Sequence, residues 1–79
     1  MAKPSVRTMV QTLYAYGDGE WDASRIMRCS ARCLRHWRSG SRKPSAARLA
    51  RLRAVYERLV REDTSVWELR HRGPFADAD

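Results

Sequence analysis

Long apolar stretches are missing from this 79-residue sequence. No run approaches the roughly 20 residues that a membrane-spanning helix needs, and residues 1–5 lack the apolar segment of a signal peptide. The sequence also has no glycine-rich phosphate loop, no internal repeat and no low-complexity linker. From these absences we expect a cytoplasmic protein with no membrane partner.

Length excludes further classes of protein. A chain of 79 residues is enough for one domain, but it cannot easily house a cofactor-sized cleft between two subdomains. We therefore expect a protein that is not an enzyme and that uses no cofactor and no small-molecule ligand. Apolar residues make up 43% of the chain, which is enough for one small core.

Cysteine is scarce, and its spacing matters for metal binding. Cys29 and Cys33 are four residues apart, and we expect both to be reduced thiols. Together with His36 they follow helical spacing, and His71 could complete a four-ligand zinc site. A helix break expected near Ser30 interrupts that face, so the sequence predicts no metal site.

Acidic residues are nearly missing from the middle of the chain. Residues 25–61 contain twelve Lys or Arg and one acid, Glu57, for a net charge of +11. Residues 1–24 carry a net charge of −1 and residues 62–79 a net charge of −3. Fourteen of the sixteen basic residues are Arg, whose planar fork matches phosphate oxygens and guanine edges. This block predicts a polyanionic partner, with nucleic acid first.

Apolar residues recur at helical spacing in the first half of the chain. A first helix begins after Ser5 and ends at Gly17. A short second helix follows, with acidic residues in its first turn, and a third runs from Ser30 to a stop at Gly40. We expect the inward-facing residues of these three helices to be Val6, Met9, Val10, Leu13, Tyr14, Ala23, Ile26, Met27, Leu34 and Trp37. We also expect the aromatic residues Trp21 and, later in the chain, Tyr56 to lie in the core.

The second half predicts two more elements. Ser45 caps a fourth helix over 46–61, which carries five Arg residues that face solvent, DNA or the acids of a partner subunit: Arg48, Arg51, Arg53, Arg58 and Arg61. Residues 66–71 favour a fifth helix, although their alternation also fits a strand. Phe75 begins an acidic tail expected to fray. The pattern thus predicts an all-α fold, a compact bundle of four or five helices.

Residues 23–40 match a known pattern at several positions, including Cys29, Ser30, Leu34, Trp37 and Gly40. An apolar residue and Ser stand at the turn, Leu34 lies four residues after that Ser, Trp37 seven after it, and Gly40 three residues later. With the Pro44–Ser45 pair that opens the fourth helix, these positions resemble the helix-turn-helix of the Cro and lambda-repressor family. The resemblance covers residues 5–62. It implies a DNA-binding domain over 1–63 and a C-terminal segment over 64–79.

The resemblance also implies which residues meet DNA. By analogy with the family, the third helix enters the major groove and presents base-reading residues, which here are Ala31, Arg32, Arg35 and His36. Arg32 is the strongest candidate for a bidentate contact to guanine. Contacts to the DNA backbone are assigned to Arg28, Ser30, Ser39, Ser41, Arg42 and Lys43.

Two positions depart from the family pattern. Ser24 replaces the usual Ala, and Arg28 stands where Gly is common. Because a left-handed conformation costs a non-glycine residue about 1 kcal/mol, Arg28 predicts a turn that is wider or differently shaped.

These features lead to an expected function and one alternative. We expect a small transcriptional regulator of phage, plasmid or operon type, a repressor in the bacterial cytoplasm or nucleoid, that binds an inverted repeat as a homodimer. The dimer interface is assigned to Val60, Val66, Trp67 and Leu69, with intramolecular packing onto the first helix as the alternative. The alternative function is a non-catalytic interaction module, such as an antitoxin-like or inhibitor protein.

Overall fold

Five helices form the regular structure of residues 3–75, the part of the chain that the computed structural model describes. They are α1 (Val6–Ala15), α2 (Gly19–Met27), α3 (Ala31–Ser39), α4 (Ala46–Glu62) and α5 (Val66–His71). No strand occurs within these residues. The prediction of an all-α bundle is confirmed, and residues 66–71 form a helix and not a strand.

Serine side chains begin four of the five helices. The hydroxyl oxygens of Ser5, Ser30, Ser45 and Ser65 each accept the backbone N–H of the residue three positions later. Each contact satisfies one of the donors that the first turn of a helix leaves unpaired. The predicted starts of α1, α3, α4 and α5 are therefore confirmed.

Helix α1 packs against α2, α3 and α4, and its inner face forms the middle of the hydrophobic core. The buried apolar residues are Met9, Val10, Leu13, Ala23, Ile26, Met27, Leu34, Trp37, Leu52, Val55, Leu59, Val66 and Leu69. Val6, Tyr14 and Tyr56 lie partly buried against them. Trp21 was expected in the core but is 55% exposed, with the Arg25 guanidinium 4.8 Å from its ring centre.

Helix α5 belongs to this core. It packs against α2, the Val66 N–H donates to the Tyr16 carbonyl at 2.9 Å, and Val66 and Leu69 are buried within the single chain. These two residues are therefore unavailable to a dimer interface, contrary to the sequence-based assignment. One buried cluster contains residues on both sides of the boundary that we expected between residues 63 and 64.

Gly17 follows the C-cap of α1 but does not serve as the helix stop that we expected. Its φ is not positive, so it is not a left-handed helix stop. A Cβ at this position would lie 2.9 Å from Val66 Cβ and 3.0 Å from Asp22 Cβ. Glycine is required because α2 and α5 approach the backbone here more closely than any side chain allows.

A buried ion pair joins α5 to α2. Arg70 Nη1 lies 2.8 Å from Asp22 Oδ1, and both side chains are 7% exposed. The other carboxylate oxygen of Asp22 accepts the Asp18 N–H at 2.7 Å, so the same side chain caps the start of α2. The Arg70 guanidinium also lies 5.0 Å from the ring centre of Trp21. Buried charges are tolerated when they are paired and hydrogen-bonded in this way.

Phe75 also belongs to the fold, although the sequence predicts a frayed end there. The Arg51 guanidinium lies 5.3 Å from the Phe75 ring centre, and Arg51 Nε donates to the Ile26 carbonyl at 2.7 Å. Arg51 thus bonds to the end of α2 within the chain. The rest of the predicted tail, residues 76–79, lies outside the described residues.

Replacing Asp22 by Ala is expected to lower the free energy of unfolding by about 3–5 kcal/mol, because it leaves Arg70 buried without its counter-charge. The matched control is Glu57→Ala, since Glu57 is an exposed helical acid with an Arg partner. That control should change stability by less than about 0.5 kcal/mol. Urea unfolding of both variants measures the difference, and equal losses would contradict a structural role for the buried pair.

Candidate nucleic-acid interface

The turn between α2 and α3 consists of Arg28, Cys29 and Ser30. Arg28 adopts the left-handed conformation, with φ 56° and ψ 44°. The Cys29 N–H donates to the Ser24 carbonyl at 3.1 Å, and the Cys29 side chain packs against the core. The expectation of a reshaped turn is wrong, because these contacts hold Arg28 in the conformation that glycine would adopt. The cost is about 1 kcal/mol.

Cys29 is placed as a packing residue. Burial, followed by the neighbouring Cys33, raises the pKa of the Cys29 thiol to about 11. Metal ligation requires the deprotonated thiolate, which this environment disfavours. Within residues 3–75, no three His, Cys, Asp or Glu side chains are grouped as a metal site would require.

Helix α3 has two sharply different faces. Leu34 and Trp37 are buried and hold the helix to the core. At 100° per residue, Arg32, His36 and Ser39 lie on the opposite side, within about 60° of one another. Arg32 and Ser39 are exposed and His36 is half-buried. Ala31, half-buried at the first position of the helix, lies at the edge of this surface.

Hydrogen bonds hold the C-terminal end of the outer side of α3 in place. His36 Nδ1 lies 2.7 Å from Ser41 Oγ, and Ser41 Oγ lies 3.1 Å from Ser39 Oγ. The Ser39 hydroxyl also donates to the His36 carbonyl at 3.2 Å. The imidazole ring is therefore held through Nδ1.

The loop after α3 turns back onto the helix. Gly40, with φ 86°, donates its N–H to the His36 carbonyl at 3.0 Å, and the Arg42 N–H reaches the same carbonyl at 3.3 Å. Arg42 and Lys43 are both exposed. A shallow groove of about 500 Å³ lies beside this loop, lined by Arg32, Arg35, His36, Arg38, Ser39 and Ser41. We refer to these six residues as the α3 face.

One acidic side chain lies at the edge of the α3 face. Arg35, predicted to read bases, has its Nη1 3.1 Å from Glu20 Oε2. The sequence indicated only that Glu20 lies in the first turn of α2, where the helix dipole favours an acidic side chain. Because the two residues are 15 positions apart, no local spacing rule predicts their contact.

Tyr14 lies beneath this corner of the α3 face. Its hydroxyl is buried and has no hydrogen-bond partner within the described residues. The Arg38 guanidinium lies 5.5 Å from the Tyr14 ring centre. Burial and then the Glu20 carboxylate raise the pKa of Tyr14, whereas Arg38 and Arg35 act in the opposite direction. Arg38 is thus part of the surface, although the sequence did not single it out.

Three of the five arginines of α4 contact other residues of the chain, Arg51, Arg58 and Arg61, although the Arg61 side chain stays 69% exposed. Arg58 pairs with Glu62 at 2.7 Å, and Arg61 approaches Glu57 at 3.9 Å. Arg48 and Arg53 are exposed. The acids at the end of α4 therefore neutralise part of the basic block.

Two members of the predicted dimer interface remain on the surface. Val60 is 51% exposed and Trp67 is 47% exposed. The His71 ring meets Trp67 edge-on with centroids 4.4 Å apart, and the Arg72 guanidinium lies 5.7 Å from the Trp67 ring centre.

Comparisons with known proteins add no assignment. A significant match to this chain is found neither among protein-family models, nor among curated proteins, nor among solved structures. None of the helices in residues 3–75 combines the length and apolar character needed to cross a membrane.

Replacing Tyr14 by Phe is expected to leave stability unchanged or to raise it by up to about 1 kcal/mol, because the change removes a buried hydroxyl that lacks a partner and keeps the ring. Thermal and urea unfolding measure this effect. A loss of more than about 1 kcal/mol would show that the hydroxyl makes a stabilising contact.

Proposed function

We propose that this protein is a sequence-specific regulator that binds double-stranded DNA through the major groove. The observation that carries the proposal is the division of α3 into two faces. Leu34 and Trp37 anchor one side, and the other presents Arg32 and His36 next to an exposed basic loop. A helix held in this way can place its outer side chains against base edges without disturbing the core.

Base contacts are assigned to the outer side of α3. Arg32 is exposed and forms no ion pair among the described residues, so its guanidinium is available to guanine O6 and N7. His36 offers Nε2, because Nδ1 is engaged by Ser41. Ala31 and Arg35 flank these two residues, and Ala31 presents a methyl group suited to thymine.

Phosphate contacts are assigned to the residues around α3. Arg28, Arg42 and Lys43 are exposed cations at the turn before the helix and the loop after it. Ser30 accepts from the Cys33 N–H, which leaves its hydroxyl proton to donate to a phosphate oxygen. Ser39 and Ser41 contribute chiefly by holding His36 and the loop.

The proposed regulator acts as a homodimer on an inverted repeat. A single α3 spans nine residues and reads only a few base pairs, so two copies are needed for a selective site. Val60 and Trp67 provide the exposed apolar surface for this contact. We infer that it represses by occupying its site, in the bacterial cytoplasm or nucleoid.

Selection from random duplex DNA tests this function. Enrichment of a palindromic motif is the expected result. Arg32→Ala should then relax the base preference at one position of each half-site, because it removes a bidentate contact worth about 1–3 kcal/mol. Arg42→Ala and Lys43→Ala should weaken all sequences alike and flatten the salt dependence by about 0.9 each.

Two outcomes would contradict the proposal. If no motif is enriched and no duplex binds at about 0.15 M salt, the basic surface serves another partner, and an antitoxin-like or inhibitor protein becomes the better explanation. If Arg32→Ala weakens every sequence equally, Arg32 contacts phosphate and the assignment of the outer face is wrong.

Trp67→Ala tests the dimer. Light scattering at micromolar concentration should show a lower mass for this variant, because the change removes the largest exposed apolar side chain of α5. Trp21→Ala is the matched control, since Trp21 is a tryptophan of similar exposure on α2, 55% against 47% for Trp67. A dimer that survives Trp67→Ala, or that is lost with Trp21→Ala, would place the interface elsewhere.

A further inference from the structure

Glu20 is an acidic residue at the edge of the α3 face, three of whose six residues are arginines. Its two carboxylate oxygens lie 3.1 and 3.5 Å from Arg35 Nη1. The side chains remain 54% exposed for Arg35 and 37% exposed for Glu20. A ligand seated on the α3 face therefore meets a paired carboxylate and guanidinium at this edge, and not a single positive charge.

Folding explains an acid at position 20, in the first turn of α2, but not its pairing with Arg35. Ion pairs with this much exposure contribute little to stability, because water screens both charges. A carboxylate beside a phosphate backbone is also unfavourable, since the two charges repel. A surface built only to attract polyanions would be improved by removing Glu20.

The pair does change what Arg35 can bind. With Glu20 beside Arg35, the pair carries no net charge, so its approach to a phosphate releases little of the counterion held by the DNA and gains little there. A G·C base pair is different, because guanine offers O6 and N7 as acceptors while the paired cytosine offers its N4 amino group as a donor. The guanidinium and the carboxylate then both find partners on one base pair.

We propose that Glu20 is a specificity-determining residue of the DNA-binding surface, which lowers the affinity of Arg35 for phosphate and favours a G·C pair facing the two side chains. This inference rests on the proposed DNA-binding function. It assigns Glu20 a role opposite to that of Arg28, Arg42 and Lys43, since it weakens binding to unselected DNA and so widens the gap between selected and unselected sites.

The test compares Glu20→Gln with Glu57→Gln. Both variants raise the net charge by one, because each replaces a carboxylate with a neutral amide. Both also remove the carboxylate partner of an exposed arginine, Arg35 in one case and Arg61 in the other. Dissociation constants are measured for the motif obtained by selection and for a scrambled duplex, over a series of salt concentrations. Thermal unfolding of each variant confirms that the fold is retained.

Glu20→Gln should bind the scrambled duplex about five- to tenfold more tightly and steepen its salt dependence by about 0.9, because Arg35 becomes available to phosphate. Binding to the selected motif should gain less, so the ratio of the two affinities falls, and selection with the variant should lose the preference for G·C at one position. Glu57→Gln should leave that ratio unchanged.

Arg35→Ala is an additional variant that distinguishes repulsion between the Glu20 carboxylate and DNA from the loss of the arginine charge. Arg35→Ala should weaken binding to the motif more in the presence of Glu20 than in the Glu20→Gln background, because it leaves the carboxylate unpaired on the DNA surface. If the affinity ratio of Glu20→Gln equals that of Glu57→Gln, the specificity role is wrong while DNA binding stands. If the unaltered protein binds neither duplex, the proposed function and this inference fall together.

Discussion

The contact between Asp22 and Arg70 connects α5, the last helix, to α2. One carboxylate oxygen of Asp22 accepts from the Arg70 guanidinium of α5. The other accepts the Asp18 N–H at the start of α2. Helix α2 is thereby fixed at its first turn, while Arg51 bonds to the carbonyl of Ile26 near its last turn. Because only three residues separate α2 from α3, the placement of α2 also determines where α3 begins.

The proposed interface depends on that placement. Leu34 and Trp37 take up the inner side of α3, so the outer side is left to polar residues. Local hydrogen bonds among His36, Ser39 and Ser41 then hold the end of the helix and the following loop in one arrangement. A surface prepared in this way loses little conformational freedom when it binds, which favours affinity.

The basic block serves more than one purpose. Within it, Arg51 bonds to the backbone and Arg35 shares its charge with Glu20; outside it, Arg70 is buried in an ion pair. Further arginines stack on aromatic rings, as Arg25 does on Trp21. The charge directed outward is therefore smaller and more localised than the net charge of +7 implies. The exposed positive charge is concentrated at the turn before α3 and in the loop after it.

The sequence by itself determined the features that depend on neighbouring residues. Helix starts at serine caps, the inward Leu34 and Trp37 and the exposed Arg32 all follow from spacing within one helix. Only the tertiary structure decided the contacts between distant elements: Asp22 with Arg70, Glu20 with Arg35, and the burial of Val66 and Leu69. Gly17 shows why, since its role as a close contact for Val66 exists only after α5 has packed. Spacing rules describe one helix at a time, whereas these contacts depend on how separate helices are placed in space.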